Sequence, residues 1–361
     1  MFPHHRSAIL VLTTVVVGLA VVAAPVAGAV PANAGPAQQS GQFGCDYASL
    51  YDQTIDSVVS VQTTAGLGSG FLYETDDGSQ VVVTNAHVVG DASTVQVQFR
   101  DGEVRDGTVV GRDVLSDLAA VRVDNVPDYV EPLALNATAP DHGQPVAALG
   151  NPFGLEETIT QGIVSGVNRS LPTQEGFRIP NTIQTDAAIS SGNSGGPLVD
   201  CNGDVIGVNT AGIAAQGAEN IGFSVSASIV ERVVPDLVTD GEFAHPYVGV
   251  SLARVTPAVA EANGLDQSQG VYVFSVQNGT PAADVLQGHT GFERVEDQRV
   301  PVGGDVIVGA DGREIRSVEE LTSFLLTETE PGGEVTLTVV RDGERTNVTT
   351  TVIERPQPEP Q

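Results

Sequence analysis

Between Asp46 and Leu237 the chain is cut into short apolar runs separated by turn residues, and this punctuation limits its fold more than any other feature. SVVSVQT, SGFLYE, QVVVTNAHVV, STVQVQF, DLAAVRV, QPVAALG, DVIGVNT and IGFSVS are rich in Val and Ile and bounded by Gly, Asp and Asn. Runs of this length and composition predict β-strands. Such strands in series predict an all-β barrel pair or a sandwich. Only YASLYDQTIDSVV and SASIVERVVPDLV carry helical periodicity, one at each end of the region.

A second unit is predicted over 247–354, after a linker at 239–246 within PDLVTDGEFAHP. It mixes strands (YVGVSLARV, GVYVFSV, DVIVGADG, EVTLTVVRDG, ERTNVTTTVIE) with helices (PAVAEANGL, SVEELTSFLLTET), an α/β domain of ordinary small size. The proline-rich stretch 355–361 reads as a loose tail. A chain of 361 residues has room for two domains, and 41% hydrophobic residues supply their cores.

The N-terminus stands apart. MFPHHR is followed by an uncharged apolar stretch from Ser7 to Val30 and then by Ala32-Asn33-Ala34, the layout of an export signal over 1–34. The stretch is also nearly long enough to span a bilayer, so an N-terminal membrane anchor stands beside the cleaved signal. Either places the short segment at 35–45 and the folded region at 46–238 outside the cytoplasm. There, an even cysteine count suggests a bridge between Cys45 and Cys201; the alternative is two unpaired small hydrophobes.

Acids outnumber bases by 45 to 16, every base is an arginine, and the net charge is −29. So acidic a surface repels nucleic acid, which is excluded as a partner. Self-repulsion on this scale is relieved by molar salt. The charge therefore motivates the hypothesis of a protein that works in high salt; full folding and activity at vanishing ionic strength would overturn it.

Three stretches carry candidate chemistry. VVVTNAHVV places His87 at a strand end, GRDVLSDLAAVRV places Asp117 just before another strand, and SGNSGGPL sets Ser194 among glycines. Each alone is an ordinary surface or turn feature. Together they match a chemical need. A serine hydroxyl is a poor nucleophile until a neutral imidazole takes its proton, and the imidazolium then needs a carboxylate to fix its tautomer. The oxyanion of the tetrahedral intermediate needs backbone N–H donors already in place, and glycines let the chain turn to supply them.

The order His87, Asp117, Ser194 in TNAHVV, SDLAAVRV and GNSGGPLV resembles the chymotrypsin-like serine proteases. GLGSGF (66–71), LGNPFGL (149–155), TQGIVSGV (160–167) and IQTDAAI (183–189) narrow the resemblance to the HtrA (high-temperature-requirement A) family. The resemblance implies a mainly β protein, a chymotrypsin-like double β-barrel followed by a mixed α/β PDZ domain. It makes His87 the general base, Asp117 its orienting carboxylate and Ser194 the nucleophile. The N–H groups of Gly192 and Ser194 would form the oxyanion hole, with Asn193 shaping the turn between them. Trypsin-like relatives carry an acid six positions before the serine; Ala188 stands there. With Ile189, Ile221 and Phe223 it implies a pocket for small or medium aliphatic side chains.

In the second unit, Tyr247, Val248, Gly249 and Val250 match the turn with which PDZ domains capture a peptide C-terminal carboxylate. His245 stands where an arginine often precedes that turn, and Gly288 to Val300 reads as an insertion. The resemblance further implies no cofactor, and no clustered Cys/His metal motif is present. It implies a homo-trimer, with Tyr47, Leu50 and Tyr51 as candidate contacts. The expected function is an exported, ATP-independent serine endopeptidase acting on unfolded or misfolded proteins. A reading from another class is a peptide-binding chaperone or scaffold with minor or silenced hydrolysis.

Overall fold

The computed structural model describes residues 44–64, 66–151, 158–173, 178–190, 192–210 and 221–356. The export-signal or anchor stretch at 1–34, most of the segment at 35–45, part of LGNPFGL and the end of the tail lie outside the described residues. No described helix is long and apolar enough to cross a membrane.

Helix α1 (Tyr47–Thr54) opens the fold, capped by the Asp46 side chain, which accepts from Ser49 N. Next come strands β1 (Val58–Gln62), β2 (Leu67–Glu74), β3 (Gln80–Thr84), β4 (Thr94–Gln98), β5 (Val104–Asp113) and β6 (Leu118–Val123). They close into an antiparallel barrel in the order β1-β2-β3-β6-β5-β4. Strands β7 (Pro145–Gly150), β8 (Thr158–Pro172), β9 (Arg178–Thr185), β10 (Pro197–Val199), β11 (Val205–Thr210) and β12 (Gly222–Ser226) close a second, in the order β10-β11-β12-β9-β8-β7.

The unbroken apolar runs have a reason. Side chains alternate across a strand, and both faces of these strands are covered. Val59, Val61, Leu72, Val82, Ala119 and Val121 pack inside the first barrel. Their neighbours Val58, Phe71, Val81, Val83, Leu118 and Ala120 join a second core shared with the other barrel. Helix α3 (Ala227–Thr239) seals that core with Ile229, Val230, Val233, Val234 and Leu237, all fully buried. Its last turns take in PDLV, as the helical periodicity of SASIVERVVPDLV predicts, and run one residue into the segment at 239–246. Pro235 inside a helix costs about 3 kcal/mol, but burying Val233, Val234 and Leu237 at about 1.5–3 kcal/mol each outweighs it, so the helix runs on to Thr239.

Cys45 and Cys201 form a disulfide that ties the approach to α1 to the turn after β10. Leu50 is buried in the core shared by the barrels. It is therefore not available as a trimer contact, because helical periodicity turns it inward. Tyr47 and Tyr51 are half-buried against the same core.

The second unit comprises β13 (Pro246–Tyr247), β14 (Val250–Arg254), α4 (Pro257–Ala262), β15 (Val271–Val276), β16 (Gly291–Val295), β17 (Gln298–Val302), β18 (Val306–Ala310), β19 (Arg313–Glu314), α5 (Val318–Glu328), β20 (Glu334–Arg341), β21 (Glu344–Thr351) and β22 (Ile353–Glu354). Its main sheet runs β14-β15-β18-β20-β21, which leaves β14 at the edge. Helix α5 buries Leu321, Phe324 and Leu325 in this domain's core, while Leu326 joins the core of the barrels. The segment from Gly288 to Val300 contributes the hairpin β16–β17, anchored where Val300 packs with Val259 and Ala260 of α4.

Candidate active site

Strand β3 ends at Thr84, and Asn85 leads into a single helical turn, α2 (Ala86–Val89), which carries His87. The imidazole Nδ1 lies 2.9 Å from both carboxylate oxygens of Asp117. The His87 N–H donates to Asp117 Oδ1 at 3.1 Å. The His87 side chain is 46% exposed and that of Asp117 only 10%, so one end of the pair is open and the other enclosed.

Asp117 sits on the tight turn joining β5 to β6 with φ +58°, a left-handed conformation that aspartate tolerates better than most residues. Two residues that sequence reasoning missed hold it there. The Asn85 side-chain amide donates to the Asp117 carbonyl at 2.9 Å, and the Thr210 hydroxyl donates to Oδ2 at 2.9 Å. Thr210 comes from β11, so the second barrel orients a carboxylate presented by the first. Asn85 was legible in principle, two positions before His87 in TNAHVV. Thr210 was not, because only barrel packing brings the end of β11 to this point.

Ser194 lies buried on the turn before β10. That turn is pinned from β2: Ser69 N donates to Ser194 O at 2.7 Å, and Ser69 Oγ donates to Gly192 O at 2.6 Å while accepting from Asn151 N at 2.8 Å. Gly195 N donates to Asn209 O at 2.8 Å, and Asn193 N to Ser190 O at 3.0 Å. Ser69 belongs to the GLGSGF stretch, and its positioning role was also missed. The Gly192 N–H belongs to the peptide shared with Ser191, which lies outside the described residues. His87 and Ser194 line one cavity of about 720 Å³, together with Leu67, Val88, Ala92 and Gly192.

Ala188, Ile189, Ile221 and Phe223 are not among the residues that line this cavity; Ala188 O accepts from Thr160 Oγ1 at 2.8 Å. Ile189 packs directly over Gly222, where a Cβ would stand 2.8 Å from it. Ile221 is exposed. Phe223, half-buried on β12, packs with Val225 against the core between the barrels. Asp186 is engaged structurally, accepting from Ile163 N at 2.7 Å.

In the second unit, Tyr247 pairs with Ile353, Val248 is buried, and Gly249 O accepts from Gln277 N at 2.8 Å. The turn through these residues heads the edge strand β14, and α5 packs against both β13 and β14. Arg254 and Glu319 form an ion pair from strand to helix. Burial pushes the Glu319 carboxyl up, but its own backbone N–H, Arg254 and the Ser317 hydroxyl outweigh this and hold it below the usual range. His245 is not part of this turn. It reaches the first barrel, where its Nε2 donates to Asp113 Oδ2 at 2.8 Å. Burial pushes Asp113 up, yet the hydrogen bond and charge of His245, with Ser116 and Leu115, hold it lower than an ordinary aspartate.

Residues 68–208 match the trypsin-like peptidase domain family, and residues 246–352 match the PDZ domain family. The chain is 35% identical over 297 residues to the serine protease Do-like HtrA of Bacillus subtilis, covering 79% of this chain and 63% of that protein. It is 36% identical over 288 residues to the periplasmic serine endoprotease DegP of Escherichia coli, covering 80% of this chain and 57% of that protein. It thus spans roughly three-fifths of the length of these curated relatives. Among solved structures, the HtrA-type protease AlgW with tripeptide superposes with a TM-score of 0.67 at 31% identity, covering 87% of this chain and 98% of that one. A trypsin-like peptidase domain followed by a PDZ domain, with near-complete coverage of AlgW at 31% identity, places the chain in the HtrA family of serine proteases.

Proposed function

We propose that the protein is an exported serine endopeptidase that cleaves unfolded or damaged proteins without ATP, through an acyl-enzyme formed on Ser194. One observation carries the reading: the Asp117–His87 pair, oriented by Thr210, opens onto the same cavity as Ser194. His87 Nε2 takes the proton of the Ser194 hydroxyl as its oxygen attacks the scissile carbonyl. Asp117 keeps the other ring proton on Nδ1 and stabilises the imidazolium. The N–H groups of Gly192 and Ser194 receive the oxyanion. His87 then returns the proton to the leaving amine, and water repeats the sequence to release the acyl group. The edge strand β14 takes a peptide C-terminus as an added strand, with the turn at 247–250 receiving its carboxylate.

The test is covalent labelling in high salt with a fluorophosphonate, read by peptide mapping, alongside cleavage of unfolded casein. Labelling at Ser194 that abolishes cleavage is expected; cleavage that survives full labelling, or a label elsewhere, defeats the assignment. The absence of an acid at Ala188, six positions before Ser194, with Ile189 next to it, adds a specificity expectation. Peptides with Val, Ala, Ile or Leu before the scissile bond should exceed Arg or Lys analogues in kcat/KM by about tenfold or more. A preference for Arg or Lys would remove Ala188 from the pocket.

A further inference from the structure

We propose that His245, a linker residue, is a positioning residue for the Asp117 carboxylate, acting through Asp113; this rests on the reading of Asp117 as the group that orients His87. Strand β5 ends at Asp113 and β6 begins at Leu118, so a tight turn carries Asp117 between them. The turn is held at its near end by one side chain. Asp113 Oδ1 accepts from Leu115 N at 3.2 Å and Oδ2 from Ser116 N at 3.0 Å. Val114, at its tip, is 47% exposed and gives it no apolar anchor.

Asp113 can cap the turn only if its buried charge is matched. Its side chain is 8% exposed, that of His245 is 11% exposed, and the two meet at 2.8 Å. Removing one partner of a buried, hydrogen-bonded charge leaves the other uncompensated, at a cost larger than the net worth of the pair. The Asp113 carboxylate would then rotate towards water and release one or both N–H groups of the turn. Asp117, in the left-handed region at φ +58°, directly follows Ser116, whose N–H that carboxylate holds.

His245 is itself fixed from two directions. Its ring meets Phe243 edge-on at 4.9 Å between centroids, and Phe243 is buried in the core of the barrels with Arg232 of α3 over its face. Its carbonyl accepts from Arg355 N at 2.8 Å, just beyond the last strand of the PDZ domain. The linker therefore crosses the molecule at a point where its side chain sets the turn of Asp117 and its backbone is tied to the end of the PDZ domain.

The test uses the full chain and a peptide substrate too short to occupy the PDZ groove. His245→Ala is expected to lower kcat about tenfold, since small misplacements of a catalytic group have effects of that order or larger. KM should stay within about twofold, because the substrate contacts are untouched. The far-downfield Nδ1–H resonance of His87 should shift or broaden. His245→Gln, whose amide can still donate to Asp113, should recover most of both, and Asp113→Ala should reproduce the loss. Wild-type kcat and an unmoved resonance in His245→Ala would overturn the proposal, as would equal losses in His245→Ala and His245→Gln with both chains folded. If the wild type turns over no peptide, the proposed function fails, and the resonance alone decides whether His245 positions Asp117.

Discussion

Replacing His87 by alanine is expected to cut kcat by about 10⁶-fold while KM changes only a few-fold, because proton transfer and nucleophilic attack act as one unit. Asp117→Asn should cost less, about 10⁴-fold, since the amide preserves the shape of the site but favours the wrong imidazole tautomer. Thr210→Val removes one of several groups that hold Asp117 and leaves both carboxylate contacts to the imidazole intact. Its loss should be about tenfold, in the range of a single hydrogen bond to a charged group. The measurement is single-turnover cleavage of one aliphatic peptide by all three variants at matched salt. The ranking matters more than any single value: were Asp117→Asn as mild as Thr210→Val, Asp117 would not be the group that sets the tautomer.

Much of this arrangement is legible in the sequence alone, for physical reasons. Strand runs such as QVVVT and DLAAVRV are buried on both faces, so their composition alone marks them. His87, Asp117 and Ser194 each lie on or just before a turn at a strand end, and turn residues of unusual chemistry stand out in sequence. What stayed hidden depends on distance along the chain. Thr210 reaches Asp117 across 93 positions, and Ser69 reaches Gly192 across 123. Neither has a local signature, because a threonine at a strand end and a serine in a strand are ordinary. Strands of weaker apolar contrast were hidden too. Strand β5, VRDGTVVGRD, carries charge at both ends and exposes several positions. Strand β8 is 15 residues long and buries only three of its positions. Leu50 and Phe223 show the same limit: the helix and strand periods turn both towards the core between the barrels, which place along the chain does not reveal.

Gly195→Ala is expected to lower both stability and activity sharply, and a second glycine separates the two physical causes. Gly195 has φ +86°, and a Cβ there would stand 2.1 Å from Ser69 O and 2.3 Å from the Thr84 hydroxyl. Gly78 has nearly the same conformation, φ +82°, with nothing within 4 Å of a Cβ. Both alanine variants suffer the left-handed strain, about 1–2 kcal/mol. Only Gly195→Ala must also push β2 or the end of β3 away from the serine turn, and overpacking of this kind adds about 1–3 kcal/mol or more. At about 2–4 °C per kcal/mol for a domain of this size, Gly78→Ala should lower Tm by a few degrees and Gly195→Ala by roughly twice that. The activity contrast should be larger still. Ser69 N and Thr84 Oγ1 are bonded to Ser194 O and Ser69 O, so displacing Ser69 moves the nucleophile. A shift of about 1 Å there is enough for a 10²-fold loss of kcat, whereas Gly78→Ala should keep near wild-type turnover. Thermal melts and peptide cleavage at matched salt measure both contrasts. If Gly195→Ala tracks Gly78→Ala in Tm and in kcat, the serine turn is not braced by Ser69 and Thr84, and the placement of Ser194 against the first barrel is wrong.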